Sequence, residues 1–311
     1  MQPLIIEAAI NGPTSKATNP HVPRTVPEIV ASARACLAAG AAIVHNHNDE
    51  TLLHACHSAE PYRAAWSAIY EQRPDAVLYP TMGSGNPHTT IAERYAHVEE
   101  LARDGLLRLV ILDPGSLSLG PLDREGLPAP IELVYQNTFA DVRYMADTCR
   151  ARELAVHVSI FEPGFLRVAL AYHAAERLPP AKIQLYFGGP ALPFGLPPTR
   201  PSLDAYLAML DATAVPTSPT LPRSPTLPRL PGLPRLPWMV GVLGGDVSTT
   251  LAELAIARGG HVRVGLEDYD GARQPSNEEL IAEIVAMAQR AGRPIATSAE
   301  AAAMLGVHAR P

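Results

Sequence analysis

Cysteines, aromatic residues and positive charge are all scarce in this sequence of 311 residues. Its three cysteines, Cys36, Cys56 and Cys149, form no CxxC pair, which is typical of reduced thiols in a cytosolic protein and not of a disulfide framework. Aromatic residues make up 5% of the chain, too few for the stacking platforms that bind single-stranded nucleic acid. The net charge of −6 predicts no basic surface for nucleic acid or an anionic membrane.

A long apolar run is also missing from the start of the sequence. The opening segment MQPLIIEAAING has neither the cationic start nor the cleavage site of a secretory signal, and it is too short to span a bilayer. Its apolar residues are typical of a first β-strand. We therefore expect a soluble cytoplasmic protein that acts on small molecules, with no nucleic acid or membrane partner.

The sequence does contain a regular alternation of short apolar runs and longer amphipathic segments. Eight such pairs predict parallel βα units, and eight is the number that closes a barrel. Thr25 with Glu28, and Ser276 with Glu279, have the spacing of a capping box at two helix starts. The predicted strands are 3–10, 41–46, 76–80, 107–112, 155–160, 182–187, 238–243 and 261–266, and the predicted helices are 26–39, 59–72, 90–104, 139–153, 163–176, 202–212, 249–258 and 276–292.

One segment interrupts this pattern before the seventh strand. Residues 216–237 read PTSPTLPRSPTLPRLPGLPRLP, and proline at about every third position forbids a helix and favours an extended polyproline conformation. The segment is either a docking surface or subunit contact, or a tolerated surface insertion. We expect an α/β fold, one (β/α)8 TIM-barrel domain over residues 1–311, with this low-complexity insertion and an extra C-terminal helix.

Two histidines end the second predicted strand in the sequence His45-Asn46-His47. Alternate residues of a strand point to the same side, so both imidazoles can reach one metal ion. Barrel enzymes carry their catalytic residues at this carboxyl end of the strands. Taken alone, the HxH pattern fits a metal site or a pair of ordinary polar side chains.

The segment RVGLED, residues 263–268, ends the eighth predicted strand and places two carboxylates near an arginine. In a closed barrel this strand is separated from the histidine strand by the first strand alone, a distance of roughly 10 Å. Glu267 can then complete a His2Glu set with an open position, as in catalytic zinc sites. Asp268 is suited to general base catalysis, and Arg263 to bidentate binding of a substrate carboxylate. A surface Arg–Glu pair is the alternative.

The sequence resembles the β-keto acid cleavage enzymes, typified by the 3-keto-5-aminohexanoate cleavage enzyme. The resemblance rests on PLIIEAAINGPTSKATNPHVPRTVPEI, AGAAIVHNHNDE, GGHVRVGLED, SNEELI and RPIATSAEAAAMLG. It implies a zinc-dependent, homotetrameric TIM barrel that condenses a β-keto acid with acetyl-CoA as co-substrate, yielding acetoacetate and a new acyl-CoA. By position, the resemblance makes His45, His47 and Glu267 the zinc ligands. It assigns removal of the α-proton to Asp268, and stabilisation of substrate and intermediates to Arg263.

The resemblance also implies four substrate-binding positions, Thr14, Thr81, Gly83 and Ser116. Thr14 stands where the family has a glutamate that contacts the distal group of the substrate, which argues for an uncharged or anionic distal group in place of an amine. Thr81 supplies a hydroxyl, and Gly83 allows close approach of the backbone. Ser116 stands where the family commonly has threonine.

Two other positions differ from the family pattern. Gly245 stands where the family has an arginine, and Ser159 where it has a glutamate that supports the base, a role that either His157 or Glu162 can take over. These differences keep open a zinc-dependent lyase or hydrolase that acts on a β-keto or amide substrate without CoA. A binding protein with structural zinc is a third alternative, although such a protein has no use for a base beside Glu267.

Overall fold

Short apolar segments of the chain form eight parallel strands whose residues are buried on both faces, as in a sheet covered by helices. The computed structural model describes residues 2–48, 56–85, 88–211 and 235–308. The strands are β1 (Ile6–Ala9), β2 (Ile43–Asn46), β3 (Val77–Pro80), β4 (Leu109–Leu112), β5 (Leu117–Ser118), β6 (Val134–Tyr135), β7 (Ala155–Ile160), β8 (Ala181–Gly188), β9 (Trp238–Leu243) and β10 (His261–Val264). The sheet order is β3-β2-β1-β10-β9-β8-β7-β4, and β4 packs against β3 to close the barrel.

Helices follow the barrel strands and form the outer layer. They are α1 (Val26–Ala39), α2 (Glu60–Gln72), α3 (Ile91–Arg103), α4 (Phe139–Ala151), α5 (Pro163–Ala174), α6 (Arg200–Asp211), α7 (Ala252–Ala257), α8 (Asn277–Arg290) and α9 (Ser298–Leu305). Both predicted capping boxes form, at Thr25 and at Ser276, so local sequence fixes where α1 and α8 begin. None of these described helices is long and apolar enough to cross a membrane.

The predicted TIM barrel is confirmed, with its eight parallel strands, its helical layer and its extra C-terminal helix. The antiparallel hairpin of β5 and β6 was not predicted, because strands of two residues leave no periodic signal. Residues 216–234 of the proline-rich segment lie outside the described residues. The single domain over 1–311 with its insertion at 216–237 therefore stays a prediction.

The interior of the barrel carries a layer of charged and polar side chains that the apolar strand patterns did not indicate. The strand register pairs Glu7 of β1 with Arg263 of β10, and His157 of β7 with Lys182 of β8. All four residues are at most 1% exposed. Buried charges are costly unless they are paired, so this layer has to form a connected network.

Candidate metal centre and active site

The three predicted metal ligands converge at the carboxyl ends of β2 and β10. His45 lies within β2, His47 follows it, and Glu267 lies three residues after β10. Nε2 of His45 is 3.2 Å from Oε2 of Glu267, and Nε2 of His47 is 3.4 Å from Oε1. One ligand atom from each residue lies within 4.8 Å of the others, as a shared ion requires. The barrel therefore brings together residues that are more than two hundred positions apart in the chain.

The hydrogen bonding of His45 indicates that a cation fits between these ligands. Its Nδ1 lies 3.2 Å from the carbonyl oxygen of Tyr79, which can only accept, so Nδ1 carries the proton. Burial lowers the pKa of His45, which favours the neutral ring. Its Nε2 lone pair then faces the Glu267 carboxylate, whose Oε2 has no hydrogen-bond donor among the described residues. Two lone pairs in contact repel each other unless a cation lies between them.

The Glu267 carboxylate is ionised. Burial alone would raise its pKa, but the charge of Arg263 is the largest of the effects that outweigh burial and hold the pKa well below its usual value. The backbone also fits closely here: Gly12 has φ +48°, and a Cβ at this position would overlap the Glu267 side chain. Only a glycine therefore allows the loop after β1 to pass beside this ligand.

Arg263 and Asp268 form a bidentate pair beside the metal ligands. Nε and Nη2 of Arg263 donate to the two carboxylate oxygens of Asp268 at 2.8 and 2.9 Å. Nη1 donates to Glu7 at 3.2 Å and to the Tyr79 hydroxyl at 3.0 Å, and Nη2 also lies 2.9 Å from Glu267. Burial raises the pKa of Asp268 to about 6, against the opposing effect of Arg263. All three nitrogens of the Arg263 guanidinium are bonded to protein carboxylates. A substrate can contact this guanidinium directly only if one of these carboxylates moves away.

Lys182 and His157 extend the network away from the metal ligands. Nζ of Lys182 lies 2.5 Å from Oε2 of Glu7 and 2.7 Å from Nδ1 of His157. Burial lowers the pKa of Lys182 to about 8, although Glu7 acts to raise it. Three carboxylates, those of Glu7, Glu267 and Asp268, thus share two cations.

Asn11 positions His47, one of the candidate metal ligands, and was missed in the sequence. It is fully buried, and its Oδ1 accepts from the backbone N–H groups of Gly12 and His47 at 2.9 and 2.8 Å. Its Nδ2 donates to the carbonyls of Pro23 and His47, both at 3.2 Å. All of its donors and acceptors are used, so Asn11 fixes the loop after β1 against the end of β2.

The predicted substrate-binding residues lie at the same end of the barrel, in the loops after β1, β3 and β4. Thr14 is in the turn after Asn11, to whose carbonyl it donates at 3.3 Å. Thr81 and Gly83 follow β3, and their carbonyls accept from His97 and Arg94, respectively. The Ser116 hydroxyl is engaged by the backbone of Asn137, at 3.0 and 2.8 Å. The described contacts of these four are all to other groups of the protein, so their role in binding stays a prediction.

His157 and Glu162, the two candidates to support the base, lie in different surroundings. His157 is buried inside the barrel, where it contacts Lys182, whereas Glu162 accepts from the backbone N–H of Gly195 at 2.8 Å. Only His157 therefore shares the charged network of Arg263. Gly245 lies in the turn after β9, and its N–H donates to the Asp268 carbonyl at 3.3 Å. This turn helps to hold the end of β10 in place.

A model of the β-keto acid cleavage enzyme family matches residues 3–307. The chain belongs to the β-keto acid cleavage enzyme family. It is 28% identical over 99% of both chains to a 3-keto-5-aminohexanoate cleavage enzyme of Fusobacterium nucleatum subsp. nucleatum. It is 31% identical to a 3-oxoadipate:acetyl-CoA acetyltransferase of Cupriavidus necator, over 98% of this chain and 95% of that protein. The family resemblance inferred from the motifs is therefore confirmed.

A solved structure supports the fold as well. The ternary complex of ObcA with a C4-CoA adduct and oxalate superposes with a TM-score of 0.65 at 16% identity, over 93% of this chain and 68% of that one. At this level of identity the similarity extends to the fold alone. The family assignment therefore rests on the sequence comparisons, whereas the barrel fold is supported by the sequence comparisons and by the solved structure.

Proposed function

We propose that this member of the β-keto acid cleavage enzymes condenses a β-keto acid with acetyl-CoA and releases acetoacetate and a new acyl-CoA. The observation that carries the proposal is the cluster of His45, His47 and Glu267, with the bidentate pair of Arg263 and Asp268 directly beside it. A site that only stabilised the fold would have no need for a buried carboxyl with a pKa near 6 at its edge.

His45, His47 and Glu267 would hold the metal, which we propose to be zinc, as the two imidazoles and one carboxylate suit that ion. Zinc supplies Lewis acidity when bound, which polarises the oxygens of a β-keto acid and acidifies its α-carbon. The remaining chemistry falls to the chain. Asp268 accepts the α-proton at a carboxylate oxygen, and Arg263 holds that carboxylate in place and offsets negative charge.

The carbanion equivalent that results attacks the acetyl carbonyl of acetyl-CoA. The acetyl carbon expels CoA as a thiolate, which then attacks the former keto carbon. The bond between that carbon and the α-carbon breaks, and the α-carbon regains a proton from Asp268. Acetoacetate thus contains the α-carbon and carboxylate of the keto acid together with the acetyl group, while the rest of the acid leaves as acyl-CoA. We include Thr14, Thr81, Gly83 and Ser116 in the proposal as substrate contacts, and we retain a homotetrameric, cytoplasmic protein as the expected form.

The relatives do not decide the distal part of the substrate. The Fusobacterium protein is named for an amino-substituted keto acid, and the Cupriavidus protein for 3-oxoadipate with acetyl-CoA. A CoA-independent lyase or hydrolase remains the second candidate, since Gly245 replaces the expected arginine.

A panel of β-keto acids tests the proposal, with and without acetyl-CoA, on zinc-loaded and chelated protein. We expect acetoacetate only when both acetyl-CoA and zinc are present, and a loss of about 100-fold or more in Asp268→Asn, since general base catalysis contributes about 10²–10⁴-fold. Exchange of the exposed Asp147, which pairs with Arg177, for asparagine is the matched control and should leave the rate unchanged. Consumption of keto acid without CoA would favour the second candidate.

A further inference from the structure

Arg24 is held rigidly beside the metal centre by contacts of its backbone and of one side-chain nitrogen. It directly precedes the N-cap of α1, and its N–H donates to Oε2 of Glu28, the capping-box glutamate, at 2.8 Å. Its Nη1 donates to the carbonyl of Gly12 at 2.9 Å. Gly12 is the residue that passes against Glu267. Gly12 therefore lies between the guanidinium of Arg24 and the candidate metal ligand Glu267.

No described residue bonds to the other edge of this guanidinium. Nε and Nη2 of Arg24 are inaccessible to solvent, and no acceptor within the described residues bonds to them. Arg263 uses the same pair of nitrogens to bind Asp268 at 2.8 and 2.9 Å. Buried N–H groups without an acceptor are costly, and a charged guanidinium more so. An edge with this geometry matches one carboxylate.

Two carboxylates lie near Arg24, but neither bonds to its free edge. Burial lowers the pKa of Arg24, while the Glu267 and Glu28 carboxylates act in the opposite direction through space. Glu28 is already engaged by Lys16 and by two backbone N–H groups, so its oxygens are not available to the free edge. Thr14, two residues beyond Gly12, adds no negative charge that would repel an anion.

We propose that the Nε and Nη2 edge of Arg24 binds a second, distal carboxylate of the substrate, which makes the preferred β-keto acid a 3-oxo dicarboxylic acid. This inference rests on the proposed function and narrows it to one substrate class. The phosphates of CoA are the other source of an anion. They are separated from the thioester by the long pantetheine arm, whereas Arg24 bonds to Gly12, which lies against the candidate metal ligand Glu267.

The test compares a 3-oxo dicarboxylic acid with its distal monoamide, which has nearly the same shape without the charge. Acetoacetate formation is measured for wild type, Arg24→Gln, Arg24→Lys and the control Arg177→Gln, an exposed arginine that pairs with Asp147. We expect wild type and control to prefer the diacid in kcat/KM by about 10- to 100-fold, the range of a charge-assisted contact. The preference should vanish in Arg24→Gln and be partly retained in Arg24→Lys, with an unchanged KM for acetyl-CoA.

Equal losses for diacid and monoamide in Arg24→Gln would overturn the inference and leave the proposed function intact. A raised KM for acetyl-CoA, with the diacid preference retained, would instead assign the edge to CoA. Binding of adipate, a dicarboxylate that cannot react, is measured by calorimetry and should weaken about 10- to 100-fold in Arg24→Gln. If no keto acid yields acetoacetate, the proposed function fails, and adipate affinity alone decides the role of Arg24.

Discussion

Two arginines near the candidate metal centre have opposite surroundings. Arg263 is 1% exposed and binds Asp268, Glu7, Glu267 and the Tyr79 hydroxyl. Arg24 uses only Nη1, for the Gly12 carbonyl, and its buried Nε and Nη2 have no acceptor in the described parts of the chain. Arg263 therefore holds neighbouring side chains of the site in place, whereas Arg24 has nitrogens free to bind a ligand. Stability should depend on the first, and substrate preference on the second.

Removal of Arg263 should have the largest effect on stability. Arg263→Gln leaves Glu7, Glu267 and Asp268 buried with less compensating charge, which we expect to lower the free energy of unfolding by about 3–5 kcal/mol. Urea unfolding of the metal-free protein measures it. The control is Arg273→Gln, because this exposed arginine pairs with Glu283 at 2.6 Å and such pairs contribute about 0–1 kcal/mol. An equal loss of unfolding free energy in Arg263→Gln and Arg273→Gln would show that Arg263 contributes no more to stability than an exposed arginine.

Lys182 should make the stability of the same network depend on pH. Its pKa is about 8 in the folded chain, below the ordinary 10.5. Between these values the unfolded chain binds the extra proton, so the stability contributed by this group rises with pH. Relative to Lys182→Met, wild type should gain on the order of 2 kcal/mol between about pH 8 and 10. Parallel urea titrations of the two proteins test this, and a constant difference would show that Lys182 titrates normally.

Removal of Arg24 should have the smallest effect on stability. Arg24→Gln loses the bond to the Gly12 carbonyl but also removes two buried donors to which no described residue offers an acceptor. We expect the free energy of unfolding to stay within about 1 kcal/mol of wild type, or to rise. Thermal unfolding beside Arg263→Gln gives the comparison directly. A loss as large as that of Arg263→Gln would mean that Arg24 supports the fold and has no free edge.

Sequence patterns predicted the barrel, and they indicated that His45, His47 and Glu267 would lie close together. Apolar periodicity locates strands locally, and the closed barrel then places the end of the eighth strand near His45 and His47. The saturated state of Arg263 was not visible, because Glu7 and Lys182 meet it only through the strand register. A charged residue inside an apolar run, as in LIIEAAI and KIQLYF, was the available signal.

Asn11 and the free edge of Arg24 were beyond the reach of sequence patterns for a different reason. Whether a polar group is satisfied depends on every neighbour in three dimensions, and no local spacing records it. The hairpin of β5 and β6 was missed because its strands are too short to show a period.

The most direct test of the account follows the carbons of acetyl-CoA labelled with ¹³C in both acetyl positions. The zinc-loaded protein is incubated with an unlabelled β-keto acid, and the products are analysed by mass spectrometry. The account predicts that the label enters the acetyl half of acetoacetate and is absent from the acyl group of the new acyl-CoA. Unlabelled acetoacetate, or keto acid consumed with no acetoacetate at all, would contradict it.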